Sequence, residues 1–599
     1  MSGSPPSFRP AARWLPPPSP PAGVAESLEE ALRPDGSRAG QVAVPAAVCR
    51  LLAARGVHTA EAAKRFLRPL IDHVEAPECL ADLPRAAERL AAAIGARETI
   101  LVHGDYDVDG ICSTSLMTIA LRALGGVVVP FIPDRMTDGY DLGPAGVAAA
   151  IAEKAKVVLT CDCGTTAHAP AESLAAAGID LIISDHHLPG GPLPKAYAVI
   201  NPRRADCPSR DKDLAAVGVA YKLALAVTRL RGGDEALVHR QLDLVALATI
   251  ADVAPLRGEN RVFARLGLRQ LALGTNIGLA ALVRAARLDE KGLTAGRVGF
   301  TLAPRLNALG RLRQALRGVE LLLATDTATA NAIARECEEL NEQRQAMDRR
   351  ILAEAMARVA KMDLADTWGI VLDSRDWHAG VIGIVASRVV EQTGRPAFMI
   401  AVDGSGEPGA VRLGKGSGRS VGAFDLHAAL QECTDLLLKH GGHRAAAGLT
   451  IAEERIPEFA ARFNEIARSK LTHDDLAPQL RTDLELPLHE ADELFERAQR
   501  HLEPFGVGNP GPVLVSHGVR LKAGARKIGT DGVKVAFAKG EGMIEAVGWG
   551  MASRAATLVA GAVVDIAYRL DVNEYNGRRT LQLVLQDFRP AKDVAGPVG

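Results

Sequence analysis

Between residues 99 and 203 five short apolar runs alternate with stretches of helical periodicity: TILV (99–102), VVVPFI (127–132), KVVLT (156–160), DLIIS (180–184) and AYAVI (196–200). Their length suits strands better than core helices, and their unbroken apolar character suits strands covered on both faces. The alternation predicts a parallel sheet with crossover helices. Three of the runs stop directly at polar clusters, HGDYDVDG, CDCGTT and DHHLP. Open α/β sheets bind ligands beyond the carboxyl ends of their strands, so these clusters mark where chemistry is expected.

The first cluster sets Asp105, Asp107 and Asp109 at alternate positions before a glycine. An EF-hand calcium loop opens the same way but needs a bidentate glutamate at its twelfth position. Counted from Asp105 that position is Leu116, and TILV reads as a strand and not as an entering helix, so the calcium reading is set aside. The clusters together supply His103, Asp105, Asp107, Asp109, Asp162, Asp185, His186 and His187, and ALATIADVAPL adds Asp252 at the end of an apolar helical run. Any one aspartate could be a helix cap or turn residue, but that does not account for four clusters. Mixed carboxylate and imidazole suits two divalent cations, Mn²⁺ or Mg²⁺, better than zinc. Two such ions about 3.5–4 Å apart suit phosphoryl transfer.

At 599 residues the chain exceeds a single core, and three or four domains are expected. A net charge of -1 requires that any nucleic-acid affinity come from a local basic groove. The eight cysteines, Cys49, Cys79, Cys112, Cys161, Cys163, Cys207, Cys337 and Cys433, lack paired metal-ligand spacing and read as thiols of a reducing compartment. No stretch has the apolar length to span a bilayer and no signal-peptide core is seen, so a cytoplasmic protein is expected.

The expected organisation is a proline-rich disordered tail (1–40), a helical segment (41–98), a first α/β domain (99–270), a helical connector (271–362), a second, smaller α/β domain (363–460), a linker (461–512) and a terminal barrel (513–590). The connector ends in a long periodic stretch, 328–362, that reads as a spacer helix. The second α/β domain contains GKGSGRS, which reads as a glycine-rich loop whose N–H groups converge on a phosphate. The barrel rests on five strand-like runs near 513–521, 533–539, 543–549, 562–571 and 579–588, with an Asn-Gly hairpin signal at 576–577, a pattern that fits an OB fold.

HGDYDVDG, TCDCG, SDHH and TIADVAPL, in this order and spacing, resemble the metal motifs of the DHH phosphoesterase superfamily. LAAVGVAYKL (214–223), LAPRLNALGRL (302–312), WHAGVIGIVASRVVE (377–391), GSGRS (416–420), GGHRAAAG (441–448) and EPFGVGNPGP (503–512) narrow the resemblance to the RecJ single-stranded-DNA exonucleases, from about 45 to 590. The resemblance implies a DHH catalytic domain, a DHH-associated substrate-binding domain and an OB domain. It places His103, Asp107 and Asp162 on one ion and Asp109, Asp162, His186 and Asp252 on the other, with Asp162 as the bridge. Asp105 joins the same turn, His187 is a candidate to donate a proton or hydrogen bond to the phosphate, and Asp185 orients its neighbours. Arg135, Arg305, Arg388, Ser417, Arg419 and His443 are implied phosphate contacts. In the barrel Arg520, Lys522, Arg526, Lys527, Lys534 and Lys539 interleave with Phe537, Trp549 and Tyr568; such aromatics are core residues more often than stacking platforms. One departure stands out: the family shows Gly-Tyr-Gly where this chain has DGYDL, so Asp141 replaces a glycine and is expected to add negative charge near the phosphate path.

The reading is a single-stranded-DNA exonuclease acting 5′ to 3′ with two divalent cations and no organic cofactor, releasing 5′-mononucleotides in recombination and repair. The resemblance implies a single-strand-binding protein and a recombination helicase as partners, and a monomer. An oligoribonucleotide or cyclic-dinucleotide phosphodiesterase of the same superfamily is the enzymatic rival, and the terminal barrel argues against it. A non-catalytic strand-binding replication factor is the other rival. Decay should remove crowded carboxylates first, and all are present.

Overall fold

The computed structural model describes residues 12–33, 44–135, 137–139, 141–288, 292–404, 411–575 and 578–591. The Asn-Gly pair at 576–577 lies outside them. The chain divides into two compact units, one of residues 65–344 with 502–511, the other of residues 1–64, 345–501 and 512–599.

In the first unit the five apolar runs form the strands Thr99–Gly104, Val127–Phe131, Val157–Cys161, Asp180–Ser184 and Ala198–Ile200. All are parallel, and Thr99–Gly104 lies between Val127–Phe131 and Val157–Cys161. Alternate residues serve opposite cores: Ile100, Val102, Val157 and Leu159 join the larger one, while Leu101 and Val158 join the smaller. Strands covered on both faces need no polar alternation, which is why these runs are apolar throughout. The strand order reverses between the first and third strands in sequence, and the crevice at their carboxyl ends is where such sheets hold ligands.

The connector does not stand apart as expected. Leu279, Leu302, Leu306, Leu309, Val319 and Leu340 all belong to the larger core, so the helices after 270 complete the first unit. The helix Thr327–Val359 gives Ile333 and Cys337 to that core and Ile351, Ala355 and Val359 to a core of the second unit.

The second unit holds a mixed sheet in which Leu413–Arg419 is central, antiparallel to Ala397–Val402 on one side and to Ala446–Ala452 on the other. This corrects the reading of GKGSGRS. It is a strand whose N–H groups serve two ladders, so they cannot converge on a phosphate. Its glycines face Phe398, Ile400 and Leu449: a Cβ on Gly418 would come within 2.4 Å of the Phe398 ring. Lys415, Ser417 and Arg419 take the opposite face.

The linker expected over 461–512 is also corrected. The helix Ile456–Lys470 buries Phe459, Phe463 and Ile466 against Phe398 and belongs to the second α/β domain. The barrel strands are Leu514–Ile528, Gly532–Lys539, Gly542–Gly548, Val563–Tyr575 and Arg578–Pro590, closed by pairing of the first with the fourth. Phe537 and Tyr568 are buried in it and Trp549 is exposed. Part of the expected tail is ordered as well. Arg13–Leu15 pairs in parallel with Gln479–Arg481, the Trp14 indole donates to Asp587 at 2.8 Å, and Val24–Ala31 is helical. Prolines dominate the composition there, but one tryptophan with an edge to pair on suffices to anchor the chain.

Gly418→Ala is expected to lower the thermal unfolding midpoint of the intact chain, at a cost of roughly 1–3 kcal/mol from overpacking against Phe398. Lys415→Ala, on the opposite face, is expected to stay within about 0.5 kcal/mol. Melting followed by circular dichroism separates the two.

Candidate metal centre

The centre is built at strand ends and helix ends. The strand Thr99–Gly104 runs into Asp105, and Asp107 caps the helix Val108–Ala123, its carboxylate accepting from the Asp109 and Gly110 N–H groups at 2.9 and 3.2 Å. The N-cap reading of this aspartate is therefore correct, and it coexists with a place in the cluster. Gly110 is obligatory: a Cβ there would lie 2.3 Å from the Asp105 carbonyl. Asp109 is fully buried and accepts from the Ala216 and Val217 N–H groups, each at 2.8 Å, and from Ser113. These amides begin the helix Ala216–Leu230, whose dipole favours an anion.

Asp162 follows the strand Val157–Cys161 with φ 68, a backbone conformation that aspartate tolerates better than most residues. Asp185 follows Asp180–Ser184 and accepts from the His186 and His187 N–H groups, from His187 Nδ1 at 2.8 Å and from the Thr165 N–H. It fixes the backbone of both histidines and orients the His187 ring. His186 donates Nδ1–H to the Leu214 carbonyl at 3.1 Å, which leaves Nε2 as a lone pair 3.1 Å from Asp162 and 3.9 Å from Asp252. Asp252 terminates the helix Leu242–Ala251, where the negative end of the dipole disfavours a carboxylate unless a cation is near.

Three groups of donors lie with their ligand atoms within 4.8 Å of one another: Asp105, Asp107 and Asp162; Asp109, His186 and Asp252; and Asp162, His186 and His187. Asp107 and Asp162 of the expected first set meet in one group with Asp105, while His103 is in none of the three groups. The His103 ring has Nδ1 3.5 Å from Cys163 Sγ, and its buried Nε2 has no hydrogen-bond partner. Asp105 Oδ1 and Asp162 Oδ1 are likewise buried without hydrogen-bond partners. Orphaned carboxylate oxygens facing like charges are what a hard divalent cation satisfies, so the donor set fits Mn²⁺ or Mg²⁺.

Burial and neighbouring carboxylates push Asp105 and Asp162 well above the usual range, Asp109 to about 7 and Asp252 to about 8. Burial lowers His186 to about 4, keeping it neutral. His187 is raised to about 9 by Asp185, which outweighs its burial, and Asp185 is lowered in return. His187 is thus an imidazolium at neutral pH. Burial raises the flanking thiols Cys161 and Cys163, which are poor ligands and poor nucleophiles.

Among the expected phosphate contacts, Arg135 stacks its guanidinium 4.7 Å from the Tyr106 ring, beside Asp105 in the centre of charge. Arg305 is buried and held by Glu338 and by the Thr301 carbonyl, so contact with a phosphate would require giving up that pair. In the second unit Ser417 and Arg419 lie together, 3.2 Å apart, against Gly383 of the helix Ile382–Thr393. Arg388 pairs with buried Asp348 at 3.1 Å, and His443 sits exposed in a turn. Sequence reasoning missed Asn201, whose side-chain N–H groups bond the His187 carbonyl and Thr165. Its signal was its place directly after the fifth apolar run. It also missed the contacts of Asp141, whose carboxylate accepts from the Gly164 N–H at 2.7 Å and from the Thr166 hydroxyl at 3.0 Å.

Residues 99–249 match the DHH family, N-terminal domain; 364–469 match the DHHA1 domain; 482–587 match the RecJ OB domain. The single-stranded-DNA-specific exonuclease RecJ of Bacillus subtilis is 38% identical over 91% of this chain and 68% of its own length, and that of Dickeya dadantii is 36% identical over 91% and 96%. The chain belongs to the RecJ family. The crystal structure of RecJ in complex with Mn²⁺ from Thermus thermophilus matches with a TM-score of 0.81 at 30% identity, covering 97% of this chain and 80% of that one. A Mg²⁺ complex of RecJ from the same organism matches with a TM-score of 0.75 at 29% identity, covering 97% and 79%. Along this chain a parallel-sheet domain, a DHHA1 domain and a barrel follow one another. Among the described residues no single helix is long and apolar enough to cross a membrane.

The raised carboxylates carry a pH signature. In the metal-free protein the stability due to Asp109 and Asp252 is fully present below about pH 4 and is lost as pH rises through their folded values, about 7 and about 8. Saturating Mn²⁺ is expected to reverse that loss and to release protons near neutral pH, because the ion needs the carboxylates deprotonated. Melting curves from about pH 5 to 8.5 with EDTA and with Mn²⁺, in the range these shifts define, check both signs.

Proposed function

We propose that this RecJ-family protein is a single-stranded-DNA-specific exonuclease that hydrolyses phosphodiester bonds 5′ to 3′ and releases 5′-mononucleotides in recombination and repair. The observation that carries the reading is the convergence of the donor groups Asp105, Asp107, Asp162 and Asp109, His186, Asp252 at the strand-end crevice of a RecJ-family chain. These residues would hold two divalent cations, Mn²⁺ or Mg²⁺, with Asp162 between them. When bound, such ions polarise a phosphoryl oxygen and make water a nucleophile at neutral pH.

The chain's own residues supply the rest. Neutral His186 offers Nε2 to the centre because the Leu214 carbonyl fixes its tautomer. The His187 imidazolium, paired with Asp185 at 2.8 Å, is poised to donate to a phosphoryl or leaving oxygen. Arg135, Arg388 and Arg419 would neutralise the strand's phosphates, Arg419 by a forked contact, and Ser417 and His443 would orient them by hydrogen bonds. The barrel, with Arg526 and Lys527 exposed on its first strand, would hold a long single strand, which disfavours an oligoribonucleotide or cyclic-dinucleotide substrate. A cytoplasmic monomer working with a single-strand-binding protein and a helicase completes the proposal.

Digestion of 5′-labelled and 3′-labelled single-stranded DNA with Mn²⁺, Mg²⁺ or EDTA tests it. The 5′ label is expected to leave first as a mononucleotide in the metal lanes only. Asp162→Ala is expected to lose at least about 10²-fold in rate, as removal of a charge-stabilising group does. Long DNA left intact in every lane, with short oligoribonucleotides cleaved, would establish the rival phosphodiesterase.

A further inference from the structure

Asp141 is one of the few non-glycine residues with positive φ, at 77. A side chain seldom adopts that conformation without a local hydrogen bond to hold it. Here the carboxylate makes three. Oδ1 accepts from its neighbour Leu142 N–H at 2.8 Å and from Gly164 N–H at 2.7 Å, while Oδ2 accepts from the Thr166 hydroxyl at 3.0 Å. Gly164 and Thr166 belong to the turn that begins with Asp162, itself at φ 68. Other anchors hold the remaining residues of that turn: the Thr160 hydroxyl donates to the Cys163 carbonyl, and Asp185 accepts from Thr165 N–H. Asp141 ties the turn to the segment that carries Arg135, six residues before it in the chain.

We propose that Asp141 is a positioning residue for the metal centre, presetting the Asp162 turn so that its carboxylate meets the ions without rearrangement. The inference rests on the reading of Asp162 as the shared ligand. Groups that hydrogen-bond a metal ligand typically change metal affinity about 10- to 100-fold when lost, and Asp141 acts through the ligand's own turn, so the lower end of that range is expected. Asp141→Gly removes all three bonds and keeps a residue that accepts positive φ readily, so the chain folds. Asp141→Asn keeps an acceptor for the two N–H groups and an amide that can donate to Thr166.

The test is Mn²⁺ binding to the full chain without DNA, read from the paramagnetic resonance signal of free Mn²⁺. Asp141→Gly is expected to weaken binding at least about 10-fold and Asp141→Asn to stay near the parent, within about threefold. Equal losses in both variants, or unchanged affinity in Asp141→Gly, overturn the proposal. Asp162→Ala runs alongside. If it weakens binding while Asp141→Gly does not, only this inference fails; if Asp162→Ala binds as the parent does, the reading of Asp162 falls first and takes this one with it.

Discussion

Repulsion between buried carboxylates is the constraint that the first unit is organised around. Asp105, Asp109 and Asp162 are all buried and Asp252 is half-buried, and Asp105, Asp109 and Asp252 each raise the proton affinity of Asp162. At a separation near 4 Å and an effective dielectric near 20, one such pair costs about 4 kcal/mol if both are charged. A fold holds several together only by fixing each with bonds that do not depend on the others. Backbone amides of two helix starts do this for Asp107 and Asp109, and the turn after Cys161 does it for Asp162. The sheet order then makes the clusters converge, because the strands ending at Gly104 and Cys161 are neighbours.

How far this was legible in the sequence depends on the range of the interactions. The five strands were readable because apolar runs and their polar endings are local signals. The members of the metal cluster were readable because the motifs are short and ordered. Their grouping was not, since which donor atoms come together depends on how each turn folds back. The anchors of Asp109 were invisible for another reason: they are main-chain amides of Ala216 and Val217, more than a hundred residues away, and carry no side-chain mark.

The misreadings share a cause. GKGSGRS has the composition of a loop, yet its glycines exist to make room for Phe398, Ile400 and Leu449, which are far from it in sequence. The proline-rich beginning has the composition of a tail, yet Trp14 finds Asp587 and the Arg589 guanidinium, 4.2 Å from its ring. Composition reports local preference, and in both places a distant partner overrides it. Arg305 shows the same reach for charge, since its guanidinium pairs with Glu338 on another helix at 3.0 Å.

Asp107 and Asp252 sit at opposite kinds of helix end, and this sets their fates apart should a descendant of this protein ever abandon metal chemistry. Asp107 would go on serving as the cap of Val108–Ala123, so selection for a stable fold alone would keep it. Asp252, at the negative end of Leu242–Ala251, would become a burden as soon as no cation faced it. An aspartate surviving at 107 in such a relic would therefore say little about activity, while one surviving at 252 would testify to it.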